Sequence, residues 1–464
     1  MYPTLLQDTI CAIATPRGYS ATGMIKVSGK DAITTVDKIF RGNLSQQKPR
    51  TVCYGWIYNP NTQELLDDVV VTVYHAPNSY TGEDVVEIGT HGSPLILSEI
   101  MELLCNHGAR IAQPGEYTRR AFANGKMDLS QAEAVADVIA STNKAALRMS
   151  LAQMKGGYSQ RIQALRAPLV ELCALMELEL DFSEEEVAFA DRTELKSRCH
   201  TIQTEINELV ESYRTGKAIK EGIPIAIVGA TNAGKSTLLN ALLGEERAIV
   251  SDLHGTTRDT IEDTLLIEGK EYRIIDTAGL RDTSDTIENI GIQRAVQQIE
   301  QAELVIWVID ANAPEQIQEI GTQILQYTPT NKVLPILNKI DATPSNTITI
   351  LKNELLAKGW PPPLQIAAKE ECYTKVVCQA ISDRFSALQV NEGDVIVSNL
   401  RHVQALQNAS TALTEVAKGL TNHIPSDLVV QDLRSAIRSL GEVVGEVSTD
   451  DLLQHIFSHF CIGK

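Results

Sequence analysis

Residues 223 to 243 read IPIAIVGATNAGKSTLLNALL. The apolar run Ile225 to Val228 suits a buried strand, and Thr237-Leu-Leu-Asn-Ala-Leu-Leu243 carries the apolar spacing of a helix. Gly229 to Ser236 therefore joins a strand to a helix N-terminus, where backbone NH groups and the helix dipole attract anionic oxygens. Gly229 and Gly234 let those NH groups turn inward, Lys235 is placed to meet the outer phosphates of a nucleotide, and the Ser236 hydroxyl is placed to ligate magnesium. A glycine-rich turn holding a chance lysine is the alternative for this string taken alone.

Two more strings follow in the order and spacing that a guanine-nucleotide hydrolase requires. Tyr272 to Ile275 reads as a short strand delivering Asp276 of Asp276-Thr-Ala-Gly279, a carboxylate able to hold magnesium through water while Gly279 offers its NH to the terminal phosphate. Val333 to Leu337 reads as another strand, weakened by Pro335, and it ends in Asn338-Lys-Ile-Asp341. The Asp341 carboxylate can accept hydrogen bonds from the N1 and N2 edge of guanine, which adenine does not supply, so a wrong base would leave its oxygens unpaired. Lys339 is expected along the phosphate loop and base plane. The nucleotide contacts expected from these strings are Asn232, Ala233, Gly234, Lys235, Ser236 and Thr237, then Asp276, Thr277, Ala278 and Gly279, then Asn338, Lys339 and Asp341.

Composition agrees with a large soluble enzyme. At 464 residues the chain is long enough for about three domains. The cysteines (Cys11, Cys53, Cys105, Cys173, Cys199, Cys372, Cys378, Cys461) form no C-x-x-C and no paired metal-ligand spacing, and they read as reduced thiols of a cytoplasmic protein. No charged-then-apolar leader pattern and no apolar run long enough to span a bilayer is visible, so no membrane association is expected. A net charge of −18 argues against a broad basic surface for nucleic acid; any RNA contact must be local or shared with a partner.

Three textures divide the chain. Residues 1–120 alternate short strands (Thr9 to Ala14, Met24 to Val27, Val69 to Tyr74, Val85 to Ile88) with helical stretches near Ala32 to Ile39 and Leu95 to Asn106, an α+β domain. Helical spacing takes over from about Ser130 to Thr215, with Asp191 or Thr193 as an N-cap. Strand and helix then alternate from Ile223 to about Leu388 before helices resume, with Leu400, Val403 and Leu406 on one stripe, then Leu428 to Leu440, then a last helix opened by Ser448-Thr-Asp-Asp451. The nucleotide domain is thus inserted in an all-α domain whose halves need each other to bury their stripes. Gly216 with Lys217 to Lys220, and Asn391 to Asp394, are the expected hinges.

The sequence resembles the MnmE (TrmE) family of tRNA-modification GTPases over essentially its whole length. The resemblance is carried by TGEDVVEIGTHGS (81–93), PGEYTRRAFANGKMDLSQAEAVAD (114–137), the nucleotide strings with GTTRD (255–259), and the closing FCIGK (460–464). It implies a multidomain chain: an N-terminal tetrahydrofolate-binding and dimerisation domain (1–120), a helical domain in two parts (121–216 and 389–464), and an inserted Ras-like P-loop α/β GTPase domain (217–388). It also implies that the protein, as a homodimer with a flavin-dependent partner of the MnmG (GidA) type, adds an aminomethyl or carboxymethylaminomethyl group to C5 of the wobble uridine of certain tRNAs. The one-carbon unit would come from 5,10-methylene- or 5-formyl-tetrahydrofolate.

Residue by residue, the resemblance implies the following roles. Leu280 stands where Ras-like enzymes carry a water-orienting glutamine, and the family instead uses potassium, with Asn232, Ser251, Leu253 and Thr256 as ligand positions; Asp252, His254 and Gly255 complete that nucleotide-contacting loop. Thr257 is the second magnesium ligand beside Ser236, and Glu288, within DTAGLRDTSDTIENIG (276–291), orients the water; a solvated helix-start carboxylate is its alternative. Ala367-Ala368-Lys369 stands at the second guanine loop, with Ala367 where serine is usual. Lys26, Glu87, Lys126 and Lys464 match folate-binding positions, with Lys26 in place of a common arginine; ordinary surface charges are the alternative. His91 sits in an expected Thr90-His-Gly-Ser93 turn. Cys461 is a candidate nucleophile or a small buried residue. Two nucleotide domains are expected to meet during hydrolysis. Competing functions are an Era- or Der-like ribosome-assembly GTPase, which would carry a KH-type RNA domain whose GXXG signature in a basic context is missing here, and a folate-dependent methyltransferase with regulatory GTP.

Overall fold

The computed structural model describes residues 8–16, 18–181, 192–246, 263–275, 299–370, 372–386, 395–422 and 424–463. The chain divides into two compact units, one of Met1–Ala140, Ser150–Glu208 and Arg401–Lys464, the other of Ser141–Met149 and Leu209–Leu400.

The first unit contains a sheet of β1 (Thr9–Ile13), β2 (Ser20–Ser28), β3 (Thr51–Tyr58), β4 (Leu65–Tyr74), β5 (Val85–Gly92) and β6 (Ala109–Ile111), in the order β3-β4-β5-β2-β1-β6. Only β1 and β6 pair in parallel. Strand alternation sends Ile25, Val27, Val69, Val71, Val73, Val86 and Ile88 to one face, where the helix Pro94–Asn106 covers them with Leu97, Ile100 and Leu104. The register sets Lys26 directly opposite Glu87, which puts both charges on the other face.

The same unit holds the helices Leu129–Ala140, Gly157–Asp181, Leu400–Thr421, Ser426–Val444 and Asp450–Ser458, and the first half of the long helix Arg192–Glu221. Val403 and Leu406 are buried as the stripe predicts, whereas Leu400 is exposed. Thr449 caps the last helix by accepting from the Leu452 NH at 3.3 Å. A buried charge cluster joins the two helical parts: Arg401 donates Nε and Nη2 to Glu133 (2.9 and 3.0 Å), and His402 Nε2 lies 2.6 Å from Glu133 Oε2. Burial opposes ionisation of Glu133, but His402 and Arg401 outweigh it and hold its pKa down at about 2. Removing one partner of such a cluster costs about 3–5 kcal/mol.

Three local expectations are revised. Gly216 is no hinge: it lies inside the helix Arg192–Glu221, and a Cβ there would stand 2.1 Å from Val397 O, so the glycine serves close packing. The Thr90-His-Gly-Ser93 turn is met only at its end: Thr90 to Gly92 continue β5, the Ser93 NH then closes onto His91 O at 2.9 Å, and a Cβ on Gly92 would meet Ser20 Oγ at 2.2 Å across the ladder. Thr193 is the second residue of its helix and not its cap; Asp191 and Asn391 to Asp394 lie outside the described residues.

In the second unit a sheet runs β12-β11-β10-β7-β9-β8, where β7 is Ile223–Val228, β8 Asp263–Ile267, β9 Lys270–Ile274, β10 Leu304–Asp310, β11 Val333–Asn338 and β12 Leu364–Gln365. All pairs are parallel except β8 with β9. Leu238, Leu239 and Leu242 of the helix Lys235–Glu246 and Val377 and Ile381 of the helix Cys372–Arg384 cover one face. Ile317, Ile324, Leu351 and Leu355 of the helices Gln316–Tyr327 and Ser345–Ala357 cover the other, packed around Trp307 and Trp360. Pro335 is tolerated because β12 begins its pairing only at Ile336.

Candidate nucleotide site and the Lys26–Glu87 face

In a doubly wound sheet ligands are met beyond the carboxyl ends of the strands. β7 ends at Val228 and the chain turns through Gly229 (φ 152) and Gly234 (φ 99) into the helix Lys235–Glu246. A Cβ on Gly229 would lie 2.2 Å from Val308 O, so only glycine allows the loop to pass so close to β10. Asn232 takes a left-handed backbone (φ 63) and is exposed, as is Thr237; Ala233 is buried. Lys235 Nζ donates to Gly229 O at 2.9 Å and Ala230 O at 2.8 Å, and desolvation lowers its pKa from the ordinary lysine range. An ammonium held this way gains from an anionic partner, which fits a nucleotide phosphate. Ser236 is the second residue of the helix and half-buried.

Asn338 ends β11 and ties three loops together. Its Nδ2 donates to Ala233 O at 2.8 Å, and its Oδ1 accepts from the Ala368 NH at 3.0 Å. It is 2% exposed, and a Cβ on Gly234 would come within 2.2 Å of its Nδ2. The asparagine of NKID is therefore a bolt between the phosphate loop and the Ala367-Ala368-Lys369 loop. Ala367 is buried and Lys369 exposed. Asp341 sits exposed in the short turn Ile340–Ala342, open to a base.

Sequence reading missed Asp310. It ends β10 opposite Asn338 in the ladder, and its Oδ2 stands 2.6 Å from Lys339 Nζ. Burial pushes its pKa up, but Lys339 and the Asn312 NH outweigh this and the net shift is downward. The available signal was an apolar run, LVIWVID, ending in an acid, the same format as the run before Asp276.

On the N-terminal sheet, Lys26 Nζ lies 3.7 Å from Glu87 Oε1, and Tyr74 donates its hydroxyl to Glu87 Oε2 at 3.3 Å. Tyr117 donates to Lys26 O at 2.8 Å from the helix Glu116–Ala123. Lys126 Nζ donates to Pro77 O at 2.9 Å, and its stem packs over Gly82. Cys461 is exposed, which removes the buried alternative, and its carbonyl accepts from the Gly115 NH at 3.4 Å. A Cβ on Gly463 would stand 2.9 Å from Ile13 O, so the closing residues lie against the end of β1, neighbour of the strand that carries Lys26. His91 pairs through Nδ1 with Asp67 at 2.7 Å, and that carboxylate raises its pKa. Ser251, Asp252, Leu253, His254, Gly255, Thr256, Thr257, Asp276, Thr277, Ala278, Gly279, Leu280, Glu288 and Lys464 lie outside the described residues.

A doubly wound sheet with a phosphate loop at the mouth of β7 and an NKID loop at the mouth of β11 defines a P-loop protein of the GTPase class. The chain matches the family descriptions "GTP-binding protein TrmE N-terminus" over residues 9–126 and "MnmE helical domain" over residues 129–461. Proteins named "tRNA modification GTPase MnmE" are similar along their full length. That of Bacteroides thetaiotaomicron is 48% identical, covering 99% of this chain and 100% of its own. That of Porphyromonas gingivalis is 48% identical over 99% and 98%, and that of Cytophaga hutchinsonii 44% over 98% and 98%. Among solved structures, a GTP-binding protein from Sulfolobus solfataricus in complex with GDP is 19% identical over 48% of this chain and 68% of its own, with a TM-score of 0.28, too slight an overlap to bear on function. The chain belongs to the MnmE (TrmE) family of tRNA modification GTPases.

Proposed function

We propose that this protein is a potassium-activated GTP hydrolase which, with a flavin-dependent partner of the MnmG (GidA) type, adds an aminomethyl or carboxymethylaminomethyl group to C5 of the tRNA wobble uridine. The observation that carries this reading is that one chain, similar end to end to proteins named tRNA modification GTPase, holds both the phosphate loop with its Asn338 bolt and the Lys26–Glu87 face.

In this reading Lys235 meets the outer phosphates once freed from its carbonyls, the NH groups of Asn232 to Thr237 cradle them, and Asp341 selects guanine. Bound magnesium, on Ser236 and Thr257, and potassium, on Asn232 with Ser251, Leu253 and Thr256, would supply positive charge beside the phosphates. Asn232 suits such a ligand, since it is exposed at the loop tip. With Leu280 after DTAG, Glu288 orients the water. Glu87, flanked by a cation and a hydroxyl, suits the amino and ring NH donors of a tetrahydrofolate, with Lys126 and Lys464 toward its glutamate tail. Cys461 then stands exposed for chemistry on the one-carbon unit or the uridine. Homodimerisation through the N-terminal domain is supported by Val52, Tyr54, Trp56 and Val70, exposed together on the sheet face opposite the helix-covered core. The domain boundaries at 120, 216 and 388 and a cytoplasmic place belong to the same proposal; among the described residues no helix is long and apolar enough to cross a membrane.

Mass analysis of wobble uridine in cells lacking the protein tests the reading. The C5-substituted nucleosides are expected to disappear, and an unchanged nucleoside profile would refute it.

A further inference from the structure

The geometry points to Asp310 as a positioning residue for guanine-nucleotide selection, acting through Lys339. This rests on the reading of Asn338 to Asp341 as the guanine loop, and it adds a residue outside every motif of that loop.

The ion pair is built into a closed ring. Asp310 Oδ2 meets Lys339 Nζ at 2.6 Å, and Asp310 Oδ1 accepts from the Asn312 NH at 2.9 Å, so the carboxylate is fixed from both sides. Thr343 Oγ1 lies 3.0 Å from Asn312 Oδ1 and 2.9 Å from Lys339 O, with one proton to share between them. The ring thus runs from the end of β10 to the turn just past Asp341. Lys339 has φ 63, a left-handed backbone that a residue with a Cβ holds only when its surroundings impose it. The turn's own hydrogen bonds hold the backbone, Ala342 NH and Thr343 Oγ1 both donating to Lys339 O, and Asp310, 15% exposed against 37% for Lys339, holds the side chain that leaves it. One ammonium proton faces Asp310, and the others remain for the ribose or the phosphate loop. Without this anchor the turn keeps only its own hydrogen bonds, and Asp341, two residues on, loses its aim at N1 and N2 of the base.

The test uses the full-length protein and GDP and IDP, the latter lacking the 2-amino group. Asp310→Asn keeps the shape and an acceptor for the Asn312 NH but drops the charge. It should bind GDP about tenfold more weakly, with the GDP-to-IDP ratio falling by about threefold and the melting temperature unmoved. Asp310→Glu should restore part of the ratio. A GDP affinity and ratio equal to those of the unaltered protein would overturn the proposal. So would an equal loss for GDP and IDP, which is what a merely structural role predicts. Asp341→Asn, measured alongside, should move preference from GDP to the xanthine analogue. If it does not, the loop reading itself fails; if it does while Asp310→Asn changes nothing, Asp310 alone is wrongly assigned.

Discussion

The two sheets hold their candidate functional groups in different ways. In the mostly parallel sheet they stand in loops past the strand ends, among backbone NH groups, glycines and one bolt residue, Asn338. In the mostly antiparallel sheet Lys26 and Glu87 stand on the strand face itself, placed by the β2–β5 register and flanked by Tyr74. A site made of loops at strand ends depends on a few buried polar contacts between loops. A site on a strand face inherits its geometry from the ladder, and its side chains can be exchanged with little effect on the fold.

That contrast can be broken most severely at the phosphate loop. Lys235→Ala should lower GTP turnover on the order of 100-fold or more, with the chain still folded, because the ammonium that meets the outer phosphates is lost; turnover under substrate saturation checks this. Asn338→Ala should act on affinity and fold together. It leaves Ala233 O and the Ala368 NH unpaired and buried, at about 1–3 kcal/mol, so thermal unfolding should move down by several degrees as GDP binding weakens.

On the strand face the expected effects are smaller and confined. Glu87→Gln should weaken 5-formyl-tetrahydrofolate binding about tenfold, read by titration of the full-length protein, while GTP turnover and melting temperature stay put. A matching loss of stability would erase the distinction between the two kinds of site. Lys26→Arg should change folate affinity by no more than about threefold, since the charge is kept opposite Glu87 and only the fork geometry differs.

The same contrast explains what was legible in the sequence. GATNAGKS and NKID are contiguous strings because a strand-end loop is contiguous, and the structure places Gly229 to Thr237 and Asn338 to Asp341 where that spacing predicts. Asp310 escaped because a single acid after an apolar run forms no string; only the β10–β11 register sets it beside Lys339. Lys26 and Glu87 lie 61 positions apart and meet through a ladder that the residues alone did not announce. β3 went unread because Thr51–Tyr58 carries Gly55 and shows apolar residues on both faces. Gly216 reads as a local hinge and Gly92 as a local turn, whereas each glycine is also required by a neighbour distant in sequence.

We propose that a potassium ion serves where Leu280 stands in place of the glutamine of Ras-like enzymes. GTP turnover by the purified protein in potassium and in sodium buffers of equal ionic strength tests it directly. At least about a tenfold advantage for potassium is expected; equal rates in the two buffers would contradict the claim.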